Sequence, residues 1–353
     1  MNDQRISEAL LSLYREAPVQ TINDTDKFVI FSDLHLGNGS SNDDFAGNSE
    51  LFDTILRRRY LPEGYTLVLN GDIEELQKFR FASIYAQWKN LYTLFAEFKQ
   101  RAGLIKIIGN HDAELALEKQ IWESDDLFRS YCLRYENHDI LLFHGHQASK
   151  YFQRYNKLAG WLLRYIVRPL RIKNFSVSHD SRKQYKTERR VYHFSRSHKL
   201  LSVIGHTHRP LLESLSKADS LKYKIEHYLR KYSGRSTPER EKIAAEIRRC
   251  RQELRSVYNS HPEFGLRSSL YNREIIVPSL FNSGCGIGKR GITGIEISGG
   301  TIALVHFFDK NRSSKYFNYN GLQPEQLGNT GYYRMVVKKD SLEYIFARIE
   351  LLT

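Results

Sequence analysis

Asp33 and His35 stand in the stretch DLHLG, Asp72 in GDIEE, and Asn110, His111 and Asp112 in GNHD. His144 and His146 stand in HGH, and His206 and His208 in GHTHRP. Carboxylates, imidazoles and one amide offer nitrogen and oxygen donors and no thiolate. That set suits Mn, Fe or Zn better than Mg or Ca. The donors are too many for one ion and right for two that share a carboxylate. Two ions about 3.5–4 Å apart can bind a nucleophile and a phosphoryl oxygen together, and can generate hydroxide near neutral pH. A lone His at a strand end is usually structural. Six of thirteen His in these motifs, every motif also holding a Gly, reverse that expectation. His138, His179, His193, His198, His227, His261 and His306 stand in no motif and read as ordinary.

Each motif follows a short apolar run: FVIFS (28–32), TLVLN (66–70), LIKIIG (104–109), DILLFHG (139–145) and LLSVIG (200–205). Such runs read as buried strands. Helical patterns lie between the first three, in NSELFDTILRRRY and FASIYAQWKNLYTLFAEFKQ. Strand–helix alternation predicts an α/β fold, whose ligand crevice lies at the carboxyl ends of the strands. In an extended segment, residues i and i+2 point the same way. Asp33 with His35, and His206 with His208, are therefore expected to converge. The later stretches REIIVPSLFNSG, GITGIEIS and TIALVHFF read as short strands of an antiparallel sheet.

Two segments interrupt the pattern. Residues 148–199 are basic and aromatic, with Tyr151, Tyr155, Leu158, Leu162 and Tyr165 at helical spacing. Residues 214–262 read as a helical hairpin. Leu221, Ile225 and Leu229 mark its first helix, and Ile243, Ile247, Cys250 and Leu254 its second. Thr237 suits the N-cap of that second helix and Pro238 its first position. With no repeats or low-complexity linker, the expectation is one domain over 1–353, with 148–199 as an inserted basic lid and 214–262 as an inserted hairpin. The hairpin reads as a surface or oligomer element.

The net charge is +13. Residues 151–210 carry fourteen Lys and Arg against two acidic residues, so nearly all of the excess belongs to one segment. Within it, HDSRKQYKTERR brings Arg182, Lys183, Lys186, Arg189 and Arg190 together. Anionic partners are implied: a phosphorylated substrate, nucleic acid or an anionic membrane surface. Cys132, Cys250 and Cys285 are scattered and form no CxxC. That argues against a disulfide framework and for a reducing cytoplasm, with peripheral contact at the inner face of a membrane left open. The polar N-terminal stretch has a helical period and is no signal peptide. LAGWLLRYIVRPL (158–170) is too short and too charged to span a bilayer.

DLHLG, GD, GNHD, HGH and GHTH, in that order over 28–210, resemble the calcineurin-like metallophosphoesterase superfamily. The resemblance implies a four-layer β-sandwich flanked by helices, here with a basic helical lid and an extra helical hairpin. It implies that Asp33, His35 and His208 hold one metal, that Asn110, His144 and His206 hold the other, and that Asp72 bridges them. It makes His111 the group that protonates the leaving oxygen or stabilises the transition state, oriented by Glu75. The implied cofactors are two divalent ions, Mn first and Fe or Zn as alternatives. The implied reaction is hydrolysis of a phosphoester or pyrophosphate.

The core motifs do not choose a substrate. A basic, partly apolar insertion between HGH and GHTHRP resembles the layout of the UDP-2,3-diacylglucosamine pyrophosphatase family. A nucleotide-lipid pyrophosphate would need cations and an apolar slot, and the segment offers both. That family usually has Arg where His111 stands and Asp where His146 stands, and its members are much shorter. Lys150, Arg182, Lys183, His146 and Arg209 are the expected substrate contacts, although His146 also reads as a structural residue and Arg209 as a solvent-facing one. The rival readings are a nucleic-acid phosphodiesterase, a phosphomonoesterase acting on a small molecule or phosphoprotein, and a non-catalytic scaffold. A scaffold would be expected to have lost metal donors, and every one is present.

Overall fold

The apolar runs become strands at the places expected. The computed structural model describes residues 2–117, 122, 126–149, 181–212, 221, 225, 228, 232, 237–260, 277–313 and 323–353, without the side chains of 2–3, 116–117, 181–183, 212 and 257–260. Met1–Leu212 and Ser279–Leu351 form one compact unit and Glu213–Pro278 a second.

In the first unit, strands β1 (Val19–Ile22), β2 (Phe28–Phe31), β3 (Thr66–Asn70), β4 (Leu104–Ile107) and β5 (Leu127–Phe128) are followed by β6 (Ser130–Tyr135), β7 (His138–Phe143), β8 (Leu201–Ile204) and β9 (Leu211–Leu212). The closing strands are β10 (Leu280–Asn282), β11 (Ile292–Ser298), β12 (Thr301–Asp309), β13 (Glu325–Gln326) and β14 (Tyr332–Ser341). The helices of this unit are α1 (Asn2–Arg15), α2 (Ser49–Ile55), α3 (Phe81–Gln87), α4 (Lys89–Arg101) and α5 (Ser181–Ser197). One sheet has the order β1-β6-β7-β8-β10-β9, the other β13-β14-β12-β11-β2-β3-β4-β5. The run β2-β3-β4-β5 is parallel, and β7, β8 and β10 are parallel to one another.

Strands covered on both faces read as unbroken apolar runs. β2 and β8 are buried along their whole length, which is why FVIF and LSVI carry almost no polar residue. Val29, Phe31, Leu67 and Leu69 pack with Phe52, Ile55, Leu94, Phe95 and Phe98 of α2 and α4. On the other sheet, Cys132, Leu141, Phe143 and Ile204 pack with Ile6, Leu10 and Leu13 of α1 and with Val191 and Phe194 of α5. The alternate residues, Phe28, Ile30 and Val68 on one sheet and Leu133, Ile140, Leu142 and Val203 on the other, are equally buried and fill the space between the sheets. The result is helix, sheet, sheet, helix: the four layers expected.

One assignment differs. REIIVPSLFNSG was grouped with the closing antiparallel strands, yet its described strand, β10, lies parallel to β8 in the opposite sheet. Ser202 N donates to Ser279 O at 2.9 Å and Ser283 N to Ile204 O at 3.0 Å, and Leu280 joins the core under α5. β11, β12 and β14 are antiparallel, as expected.

In the second unit, Leu221, Ile225, Tyr228 and Tyr232 are helical, and helix α6 (Thr237–Ser260) begins at the Thr-Pro pair. The Arg240 guanidinium lies 5.5 Å from the centre of the Tyr232 ring. A last helix, α7 (Leu342–Leu352), belongs almost wholly to the first unit and starts with Ser341 accepting from Tyr344 N through its side chain. Among the described residues, no helix is long and apolar enough to cross a membrane.

Candidate metal centre

The loops after β2, β3, β4, β7 and β8 meet at the carboxyl ends of their strands. The loop after β2 is laced to the loop after β3: Asp33 N donates to Gly71 O, His35 N to Asp72 O and Leu36 N to Ile73 O, at 3.0, 3.0 and 2.7 Å. Two glycines allow the close approach. A Cβ on Gly71, whose φ is +82°, would fall 2.5 Å from the His144 ring, and one on Gly109 would fall 2.1 Å from Asp72 Oδ1.

Asp33 and His35 do converge, though not along extended chain, whereas His206 and His208 diverge into two different clusters. Asp33, His35, Asp72, His206 and His208 have φ of 54°, 50°, 52°, 64° and 55°. Among the described residues only two other non-glycine residues, Glu136 and Lys199, have positive φ. L-residues held there cost about 1–3 kcal/mol each and persist where the surroundings over-determine them. Here the left-handed turns aim the side chains inward.

Two clusters result. Asp33 Oδ1 lies 3.1 Å from His208 Nε2 and 3.9 Å from His35 Nε2, and the two imidazole Nε2 atoms lie 3.2 Å apart. Asp72, His144 and His206 make the second, with ligand atoms all within 4.8 Å of one another. Asp72 lies at its edge toward the loop after β4, accepting from His111 N at 2.8 Å through Oδ1. His144 Nδ1 bonds the Asn70 carbonyl at 3.0 Å, and its Nε2 lies 3.0 Å from Asp72 Oδ2. A carbonyl only accepts, so Nδ1 carries the proton and the Nε2 lone pair faces a carboxylate. That contact is repulsive unless a proton or cation lies between.

The same need appears elsewhere in the cluster. Asn110 Oδ1, His144 Nε2 and His206 Nε2 are buried without a hydrogen-bond partner among the described residues. An orphaned buried polar atom costs about 1–3 kcal/mol, and these acceptors, His144 and His206 of them clustered with Asp72, make a donor set suited to a cation. The residues fit a divalent ion. Burial opposes charge on Asp33, but His208 and His144 outweigh it and lower its carboxyl to about 2. Burial likewise opposes a proton on His144, and Asp72 and Asp33 overcome it, raising the imidazole to about 9, so that without a cation a proton fills the place between Nε2 and Asp72. His206, deprived of water and facing His144, is pushed down to about 3 and is neutral.

Glu75 is buried beside the first cluster. Its Oε2 lies 3.0 Å from His35 Nδ1 and its Oε1 2.8 Å from His111 Nδ1. Burial works against the charge of His111, yet Asp72 and Glu75 raise its imidazole to about 9. The His111 side chain is 18% exposed, so this cation is reachable from outside.

Of the other expected site residues, His146 is buried, with its ring centre 5.5 Å from that of His144 and 6.2 Å from that of His206. Burial, with His144 and His206, holds it far below its ordinary value. Arg209 is paired to Glu188 Oε2 at 2.9 Å. Lys150 lies outside the described residues, as do the side chains of Arg182 and Lys183, whose backbone forms the first turn of α5. Asp112 stands in a motif yet is no ligand: its oxygens accept from Gly109 N and Ile73 N, and Lys106 Nζ lies 3.1 Å away. Asn70, Lys106, Glu74, Thr207, Glu188 and Asn282 all serve the site and were not singled out beforehand. For Lys106 there was a signal, a lone cation inside the apolar run LIKII.

The sequence model of the calcineurin-like phosphoesterase family matches residues 26–222. No curated protein matches the chain. Among solved structures, that of a single mutant of Vps29 from Entamoeba histolytica aligns over 81% of this chain and 94% of its own, at 10% identity and a TM-score of 0.33.

Proposed function

Because this chain belongs to the calcineurin-like phosphoesterase family, we propose that it hydrolyses a phosphoester or pyrophosphate at a centre held by Asp33, His35, Asp72, Asn110, His144, His206 and His208. The observation that carries this is the pair of clusters at the strand ends, Asp33, His35 and His208 in one and Asp72, His144 and His206 in the other, each with ligand atoms within 4.8 Å of one another. Divalent cations bound there supply charge for the phosphoryl oxygens and lower the pKa of water. From the nitrogen and oxygen donors we assign two ions, Mn first, with Fe or Zn as alternatives.

The chain's own residues divide the remaining work. Asp33 and Asp72 stay ionised in a buried site, pulled below the usual carboxylate range by the imidazoles around them. Asn70 fixes the tautomer of His144, and Glu75 fixes the ring of His35. His111, protonated at neutral pH and held at Nδ1 by Glu75, keeps Nε2 to donate to the leaving oxygen.

As substrate we favour a phosphoanhydride or phosphodiester with an anionic, partly apolar body, such as a nucleotide-lipid pyrophosphate. The concentration of positive charge in 151–210 supports it. The same charge supports a nucleic-acid diester as the second reading, whose binding would weaken steeply between about 50 and 200 mM salt. The test is a Mn-loaded sample offered bis-p-nitrophenyl phosphate, p-nitrophenyl phosphate, a UDP-lipid and single-stranded DNA, with Asp72→Ala as control. Cleavage by the wild type and none by the variant is expected. No cleavage of any phosphoester with any divalent metal, or full activity of Asp72→Ala, would sink the reading.

A further inference from the structure

Thr207, between the two ligands His206 and His208, is wholly buried, and most of its bonds run to other elements. Its Oγ1 donates to Glu188 Oε1 at 2.8 Å and accepts from Asn282 Nδ2 at 2.8 Å. Its carbonyl accepts from Gln184 Nε2 at 2.9 Å. The other oxygen of Glu188 pairs with Arg209 at 2.9 Å. Glu188 and Gln184 both belong to α5, the basic helix inserted between the two histidine motifs.

We infer that Glu188 is a positioning residue, through which α5 braces the loop carrying His206 and His208 and sets how tightly the centre holds its ions. The inference rests on the metal-centre reading above. Both histidines are held at positive φ, so the loop is strained on each side of Thr207 and needs outside bonds to keep its shape. Glu188 supplies them on both sides of His208, to Thr207 and to Arg209. It is the sole acidic residue in α5 and is 4% exposed, whereas its neighbour Arg189 faces solvent. A carboxylate is costly to bury unless its partners are worth more than water. Farther along the helix, Arg190 donates to the Ala148 carbonyl, in the turn that follows His144. The same helix thereby holds the loops that end β7 and β8.

The test uses the full-length protein, stripped of metal and titrated with MnCl2 by calorimetry, with free Mn followed by electron paramagnetic resonance. Glu188→Ala is expected to weaken Mn binding about 10–100-fold, as loss of a supporting contact behind metal ligands commonly does. Glu188→Gln keeps an acceptor for Thr207 and is expected to recover most of that affinity. Thr207→Val removes the donor while keeping the shape, and decides the matter if Glu188→Ala does not fold. Wild-type affinity in Glu188→Ala and Thr207→Val, or a Gln variant no better than the Ala one, overturns the brace. A wild type that binds no Mn at all removes the metal-centre reading itself, a different failure.

Discussion

His35 and His111 share one carboxylate. Their Nδ1 atoms bind opposite oxygens of Glu75, at 3.0 and 2.8 Å, and their rings meet edge to face with centres 4.7 Å apart. One ring belongs to the ligand set and the other to the proposed proton donor, so a single side chain aligns both. Burial opposes the charge on Glu75, but His111 and His35 lower its carboxyl to about 2, so it remains an acceptor for two N–H groups.

Glu75→Gln is therefore expected to damage two functions at once. The Gln side chain offers one acceptor oxygen, and its amide N–H would face the second imidazole N–H. The expected outcome is a kcat on bis-p-nitrophenyl phosphate lower by about 10²–10⁴-fold and a Mn affinity lower by about 10–100-fold. His111→Ala should lower kcat comparably and leave the Mn isotherm nearly unchanged. An unaltered isotherm in Glu75→Gln would show that His35 does not need this carboxylate.

Lys106 carries the second prediction. Fully buried in β4, it bonds Glu74 Oε2 at 2.6 Å and lies 3.1 Å from Asp112 Oδ2. Tyr92 OH donates to the other Glu74 oxygen at 3.1 Å. Burial raises the Glu74 carboxyl, with Lys106 opposing it. Lys106→Met would leave two carboxyls in the interior without their cation, at a cost of about 3–5 kcal/mol. Chemical denaturation of the metal-free protein measures it. A loss below about 1 kcal/mol would mean that Glu74 and Asp112 share a proton and need no Lys.

Much of this was legible in advance, for a physical reason. A strand buried on both faces must be apolar, and the first residues past its end are free to be chemical, so FVIF followed by DLH announces both strand and site. The less legible parts answer to partners distant in sequence. β14 is half-exposed, with Lys338 and Lys339 in its run, and its pairing with β12 is what defines it. β6, SYCLRY, mixes polar and apolar residues because it is only partly covered, with Cys132 and Leu133 buried and Arg134 exposed. The left-handed turns at Asp33, His35, Asp72, His206 and His208 carry no signal, since Asp and His are not glycine. The role of the single acid in α5 is set by Thr207 and Arg209, which lie about twenty residues further along the chain.

Gly109 tests the crowding at the Asp72 carboxylate. Its missing Cβ is what lets the loop after β4 lie against Asp72, whose backbone N would be 2.4 Å from that atom and whose Oδ1 would be 2.1 Å away. Gly109→Ala must push Asp72 or Asn110 aside. A displacement of about 1 Å at reacting groups can cost about 10²-fold in rate. The expected outcome is a folded protein with Mn binding weakened and kcat lower by about that factor. Normal Mn stoichiometry and rate would show that the loop can yield without moving the ligands.

The last prediction concerns acid stability away from the centre. Asp139 in β7 accepts from Tyr14 of α1 at 2.5 Å and from Arg134 of β6 at 2.8 and 3.0 Å, tying α1 to the β6–β7 hairpin. Burial works against its charge, but the bonds from Arg134 and Tyr14 outweigh burial and hold the carboxyl below its ordinary value. A depressed folded value means that the unfolded chain takes up the proton first as pH falls. The stabilisation is therefore complete above the unfolded value of about 4 and is lost as pH falls through the lower folded value. Asp139→Asn should be less stable than wild type at pH 7, and the gap should narrow as both are taken from pH 5 toward pH 2. Paired denaturation curves isolate this group, because Asp33, Asp72 and Glu75 contribute alike to both proteins. A gap that stays constant with pH would mean that Asp139 acts through shape and not through charge.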